Sequence, residues 1–134
     1  MDTLLPNSRR PDVTFYPDGR IDITAHVAKI LHMQQGDVID IVLAGAEYLL
    51  YVRLRSNECV GRHEAQVYPS KRGKHKANNF RAYSKTICRA IRKAATVPGG
   101  FSAGENSPLR LPAGTPITYG TAGTAIPLIT RNPL

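Results

Sequence analysis

Four histidines (His26, His32, His63 and His75) and two cysteines (Cys59 and Cys88) are the residues best suited to metal binding or proton transfer. Their spacing supports neither. His26 and His32 lie six residues apart, about 240° around a helix, so they face different ways, and neither His63 nor His75 has a second ligand at metal-site spacing. Cys59 and Cys88 are separated by 28 residues, unlike a zinc knuckle or a redox Cys-x-x-Cys, and both are expected to be reduced. Ser8, Ser56, Ser70, Ser84, Ser102 and Ser107 lack a recognisable nucleophile–base spacing. Gly120-Thr121-Ala122-Gly123-Thr124 is glycine-rich without the lysine and following helix of a phosphate loop, and reads as a polar turn. An RNA nuclease using His63 or His75 would need two groups converging on one phosphate, which the sequence does not show. The expectation is a protein that is not an enzyme, with no cofactor and no metal.

Charge is more informative than nucleophiles. The 134 residues carry a formal net charge of +8, unevenly distributed. Residues 11–50 hold Arg20 and Lys29 against Asp12, Asp18, Asp22, Asp37, Asp40 and Glu47, a net −4. Residues 51–93 carry Arg53, Arg55, Arg62, Lys71, Arg72, Lys74, Lys76, Arg81, Lys85, Arg89, Arg92 and Lys93 against Glu58 and Glu64. A field concentrated in this way attracts polyanions. The candidate nucleic-acid contacts are Arg53, Arg55, Lys71, Arg72, Lys74, Lys76, Arg81, Lys85, Arg89, Arg92 and Lys93.

The elements that must position these cations follow from periodicity. Residues 1–11 carry Pro6 and Pro11 and read as a flexible lead-in. Asp12 to Tyr16 and Arg20 to Ile23 alternate around Pro17-Asp18-Gly19, which predicts a β-hairpin. Thr24 is placed to cap a helix running to Met33, with Val27, Ile30 and Leu31 on one face. Val38–Leu43 and Tyr48–Arg55 form a second strand pair, with Leu50, Val52 and Leu54 on one face and Tyr51, Arg53 and Arg55 on the other. Arg62–Tyr68 reads as a further strand closed by Pro69, and Ser70–Asn79 as an exposed basic loop that can follow a phosphate backbone but cannot read bases. Phe80 and Tyr83 flank Arg81, compatible with core anchoring or with stacking on unpaired bases.

Ser84 caps a second helix to about Ala95. It gathers Ile87, Cys88, Ile91 and Ala94 on one side and Lys85, Arg89, Arg92 and Lys93 on the other. The tail offers short strands at 109–112, 116–119 and 125–130, where Pro112, Pro116 and Pro127 argue against central strands with full ladders. The reading is an α+β, mostly β protein in four regions: 1–11, 12–55, 56–98 and a Gly/Pro-rich tail at 99–134. No apolar run approaches the roughly 18 residues that span a bilayer, and no signal-like start is seen, so a cytoplasmic location is expected.

Gly19-Arg20-Ile21-Asp22-Ile23-Thr24, then Val27, Leu31 and Met33, then Gly36-Asp37-Val38-Ile39-Asp40-Ile41 and the strand Tyr48 to Val52 together resemble the AbrB-like swapped-hairpin domain of bacterial transition-state regulators and antitoxins. The resemblance covers about residues 12–54. It implies strand, strand, short helix, strand, strand, interleaved in an obligate two-fold homodimer that binds DNA. Thr24 stands in the usual place of a proline, Ala28 where a basic residue is often found and His32 where glycine is common. Over its full length the chain is also similar to uncharacterised proteins of gut Bacteroidales and their mobile elements, which implies no activity. Two functions follow as expectations. One is a non-catalytic nucleic-acid-binding protein, a DNA-binding or regulatory accessory whose partner is DNA or RNA. The other is a structural or protein-interaction module whose basic surface meets an acidic partner protein.

Overall fold

Alternation of apolar and polar residues produces the first hairpin. In the computed structural model, which describes residues 12–70, 79–95, 107–120 and 123–130, β1 (Val13–Phe15) pairs with β2 (Arg20–Ile23) so that Val13 meets Ile23 and Phe15 meets Ile21. Gly19 closes the turn at φ +99°, and a Cβ there would lie 2.9 Å from Lys85 Cγ. Both the turn and the close approach therefore require glycine.

Helix α1 (Ala25–Ile30) follows. The expected extension to Met33 fails because Leu31 is the C-cap and His32 enters the left-handed region at φ +50°. The Met33 amide then donates back to Ala28 O at 2.8 Å, satisfying a terminal carbonyl. Thr24 occupies the N-cap but makes no side-chain cap bond, contrary to the reading from sequence. Asn79, distant in sequence, supplies the acceptor instead, its Oδ1 2.7 Å from the Ala25 amide.

β3 (Val38–Ala44) and β4 (Glu47–Leu54) form the second hairpin, and a short 3₁₀ turn at Ser56–Glu58 leaves it. The strand expected at 62–68 is replaced by a connector. Ala65 adopts φ +61°, its amide donates to Tyr83 O and its carbonyl accepts from the Ile39 amide. Gly36 N–H to Val67 O and Val67 N–H to Asp37 O continue this seam. Only β5 (Tyr68–Pro69) is regular, and it pairs with β6 (Phe80–Tyr83), a strand that short-range periodicity did not reveal.

Ser84 caps α2 (Lys85–Ala94) as expected, accepting from the Ile87 amide at 3.0 Å. The tail then serves both sheets. β7 (Leu109–Leu111) pairs with β1, whereas β8 (Ile117–Tyr119) and β9 (Gly123–Leu128) pair with each other and β9 with β4. The described strands form two sheets, ordered β5-β6-β2-β1-β7 and β3-β4-β9-β8. The protein is α+β and mostly β.

Pro127 lies in a central strand, but where the ladder is incomplete, as its missing N–H requires. Opposite Leu49 on β4, it lies beyond the stretch of β9 that β8 covers, and its carbonyl turns outward to accept from the Gly114 amide at 2.8 Å. Its missing N–H therefore costs no ladder bond.

One hydrophobic core joins these pieces. Phe15, Ile21 and Ile23 from the first sheet meet Leu50, Val52, Ile126 and Leu128 from the second, with Val27, Leu31, Cys88 and Ile91 from the helices. All four described stretches contribute to it. Among the described residues, no helix is long and apolar enough to cross a membrane.

Candidate nucleic-acid interface

Side chains alternate across a strand, so burying one face of β6, β2, β1 and β7 turns the intervening residues outward. Phe80, Ala82, Ile21, Ile23, Val13, Phe15, Leu109 and Leu111 enter the core. The opposite face carries, in register from edge to edge, Tyr68, Arg81, Asp22, Thr14 and Arg110. One step along the strands, Tyr83 stands opposite Arg20, whose guanidinium carbon lies 3.8 Å above the centre of the Tyr16 ring. Three guanidiniums and one carboxylate leave two uncompensated positive charges on a face that also bears three tyrosines.

The cations are held in place. Asp22 Oδ1 accepts from Arg81 Nε at 2.8 Å, and its Oδ2 lies 3.6 Å from Arg20 Nε. Both arginines hold their protons more firmly than usual: for Arg20 hydrogen bonding to Tyr16 outweighs the opposing effect of burial, and for Arg81 the bond to Asp22 does so. Among buried polar atoms, Arg20 Nε and Thr24 Oγ1 have no hydrogen-bond partner. Both residues line a groove of about 260 Å³ whose rim includes Ser70 and Asn79. Lys71, Arg72, Lys74 and Lys76 fall between those two rim residues in sequence and lie outside the described residues.

The remaining candidates are scattered. Lys85, Arg89 and Lys93 are exposed on α2 as its periodicity requires. Arg92 is different: it sits one turn beyond buried Cys88, and its Nη1 donates to Ser107 O at 2.6 Å and Phe15 O at 3.4 Å. Arg53 is exposed on β4 two residues from Tyr51, whose ring lies 5.6 Å from that of Tyr119. Burial, reinforced by Asp40, pushes the Tyr51 phenol up.

Arg55 does not share the exposure of Arg53, because β4 ends at Leu54 and the alternation ends with it. Its guanidinium donates to Asp37 Oδ2 at 3.1 Å, to His32 O at 2.9 Å and to Leu31 O at 3.2 Å, closing the C-terminus of α1. Arg55 and Arg92 thus hold the fold together in this structure.

Of the aromatic pair noted around Arg81, Phe80 is buried in the core and Tyr83 is exposed. Sequence reasoning missed Tyr16, Tyr68 and Arg110 as members of this face. Their grouping depends on β1, β5, β6 and β7 meeting across large sequence separations, for which no local signal exists. Among the described residues, no cluster of three or more His, Cys, Asp or Glu could hold a metal ion. No protein family, curated protein or solved structure matches the chain.

Proposed function

We propose that the protein binds nucleic acid, as a DNA-binding or regulatory accessory, through the outward face of the sheet β5-β6-β2-β1-β7. The observation that supports this most is the row Tyr68, Arg81 and Asp22, continued across the buried Thr14 to Arg110 and backed by Arg20 on Tyr16. Fixed guanidiniums supply phosphate contacts with directional hydrogen bonds, and the aromatic rings supply contact area at low entropy cost. Lys85, Arg89 and Lys93 on α2 and the basic stretch 71–76 add a longer-range attraction.

The test is titration of labelled oligonucleotides between roughly 50 and 200 mM salt. Affinity is expected to fall steeply with salt, and Arg110→Ala is expected to lower the slope by about 0.7 to 0.9 if it removes one phosphate contact. No retention of any nucleic acid at low salt would refute the proposal and favour an acidic protein as the partner of the basic surface.

A further inference from the structure

The same face carries a more specific message about which form of nucleic acid it accepts. Tyr68 and Tyr83 are 45% and 58% exposed, unusually open for large aromatic side chains on a sheet whose other face is core. The Tyr68 ring is tethered, since its hydroxyl donates to Gln66 Oε1 at 3.0 Å while Gln66 Nε2 donates to Gly36 O at 3.0 Å. It is a preorganised platform.

Register fixes the spacing between the two rings. Tyr68 lies opposite Arg81, so Tyr83 is its diagonal neighbour on the same face. Diagonal neighbours are about 7–8 Å apart, roughly twice the 3.4 Å between successive bases of one strand in a stacked duplex. At that spacing, successive bases resting one on each ring would stand further apart than in a stacked duplex. Two separated aromatic platforms with the Arg81 guanidinium beside them suit an unpaired strand whose bases splay outward.

We propose that Tyr68 and Tyr83 are base-stacking platforms and that the protein selects single-stranded over duplex nucleic acid. This rests on the nucleic-acid reading above. Arg81, between the two rings and braced by Asp22, lies within reach of the connecting phosphate.

The test compares labelled oligo(dT), oligo(rU) and a mixed-sequence duplex of equal length by fluorescence anisotropy at one salt concentration. A single strand, deoxy or ribo, is expected to bind more tightly than the duplex. Tyr68→Ala and Tyr83→Ala should each weaken single-strand binding roughly fivefold or more, leaving duplex affinity unchanged. Tyr68→Phe and Tyr83→Phe should retain binding because the ring remains. Both positions are exposed, and an unchanged melting temperature checks that the alanine variants are folded. Equal or tighter duplex binding, or alanine variants that bind single strands like the parent, would overturn the stacking proposal while leaving the electrostatic reading in place. Failure to bind any of the three probes at low salt would overturn both.

Discussion

Asp37 should be the most costly polar residue to remove. Its carboxylate is 1% exposed and accepts from three donors: the Gln34 amide at 2.8 Å, the Ser56 amide at 2.8 Å and Arg55 Nη1 at 3.1 Å. Asp37→Ala would leave the partly buried amides of Gln34 and Ser56 without their acceptor, each costing about 1–2 kcal/mol, and would free a guanidinium. Because the Arg55 side chain is 40% exposed, water screens that last loss to about 1 kcal/mol or less. The expected total is about 4 kcal/mol, against the roughly 5–15 kcal/mol that stabilises a typical domain. At a urea slope of about 1.5 kcal/mol/M, the midpoint should fall by roughly 2.5 M. Arg55→Met, which keeps the stem over the end of α1, should cost only about 1–2 kcal/mol and leave oligonucleotide affinity intact while the protein is folded. Urea unfolding followed by circular dichroism measures all of these. An Asp37→Ala loss below about 1 kcal/mol at unchanged slope would refute the hub assignment. A large affinity loss in folded Arg55→Met would return Arg55 to the binding surface.

Two further outcomes follow. Burial pushes the Cys88 thiol up to about 11, against opposing influences from the Tyr16 backbone and Arg92. Because that is above the ordinary value of 9.0, the contribution to stability is fully present below pH 9 and is lost as pH rises through 11. Wild type should therefore lose up to about 2–3 kcal/mol more than Cys88→Ala across that interval, and Cys88 should resist alkylation at pH 8 until the chain unfolds; rapid native labelling would contradict this. The second concerns assembly. The swapped-hairpin resemblance implies that Ile21, Ile23, Val38, Ile41, Leu50 and Val52 enter a core shared by two chains; in the single chain all of them are buried except Ile41, which is half-buried. The unfolding midpoint should not shift with protomer concentration, whereas a midpoint that rises with concentration would support the shared core.

Much of the fold was legible where the signal is local. Period-two alternation located β1, β2, β3 and β4, and Ser84 with the Ile87–Ile91 repeat located α2. What escaped notice depends on contacts between distant residues. β6 is a strand because Arg20-Ile21-Asp22-Ile23 offers it an edge, with Asp22 facing Arg81 and Ile21 facing Ala82. Thr24 lost its capping role to Asn79, which accepts from the Ala25 amide 54 positions earlier. Arg55 and Arg92 look like surface cations in a helical wheel or a strand diagram, but each lies within reach of unpaired carbonyls that only the folded chain brings near.

The charge map illustrates the same point for the site. By sequence, residues 11–50 are net −4 and would repel a polyanion, leaving binding to the basic third. In the structure their aspartates are largely committed to the chain itself. Asp12 accepts from the Ala113 amide at 2.7 Å, Asp18 from the Arg20 amide at 3.1 Å and Asp40 from the Ile41 amide at 2.8 Å, while Asp37 is buried against Arg55. Asp22 is the exception that reaches the sheet face, and there it lies between Arg20 and Arg81. An approaching phosphate responds to charges that share a face, because screening limits their reach to about 8–10 Å at ordinary salt. On that scale Arg20 from the acidic segment and Arg81 from the basic one act together. In the proposed reading, scaffold and contact surface are therefore divided by the two sides of one sheet rather than by position along the chain.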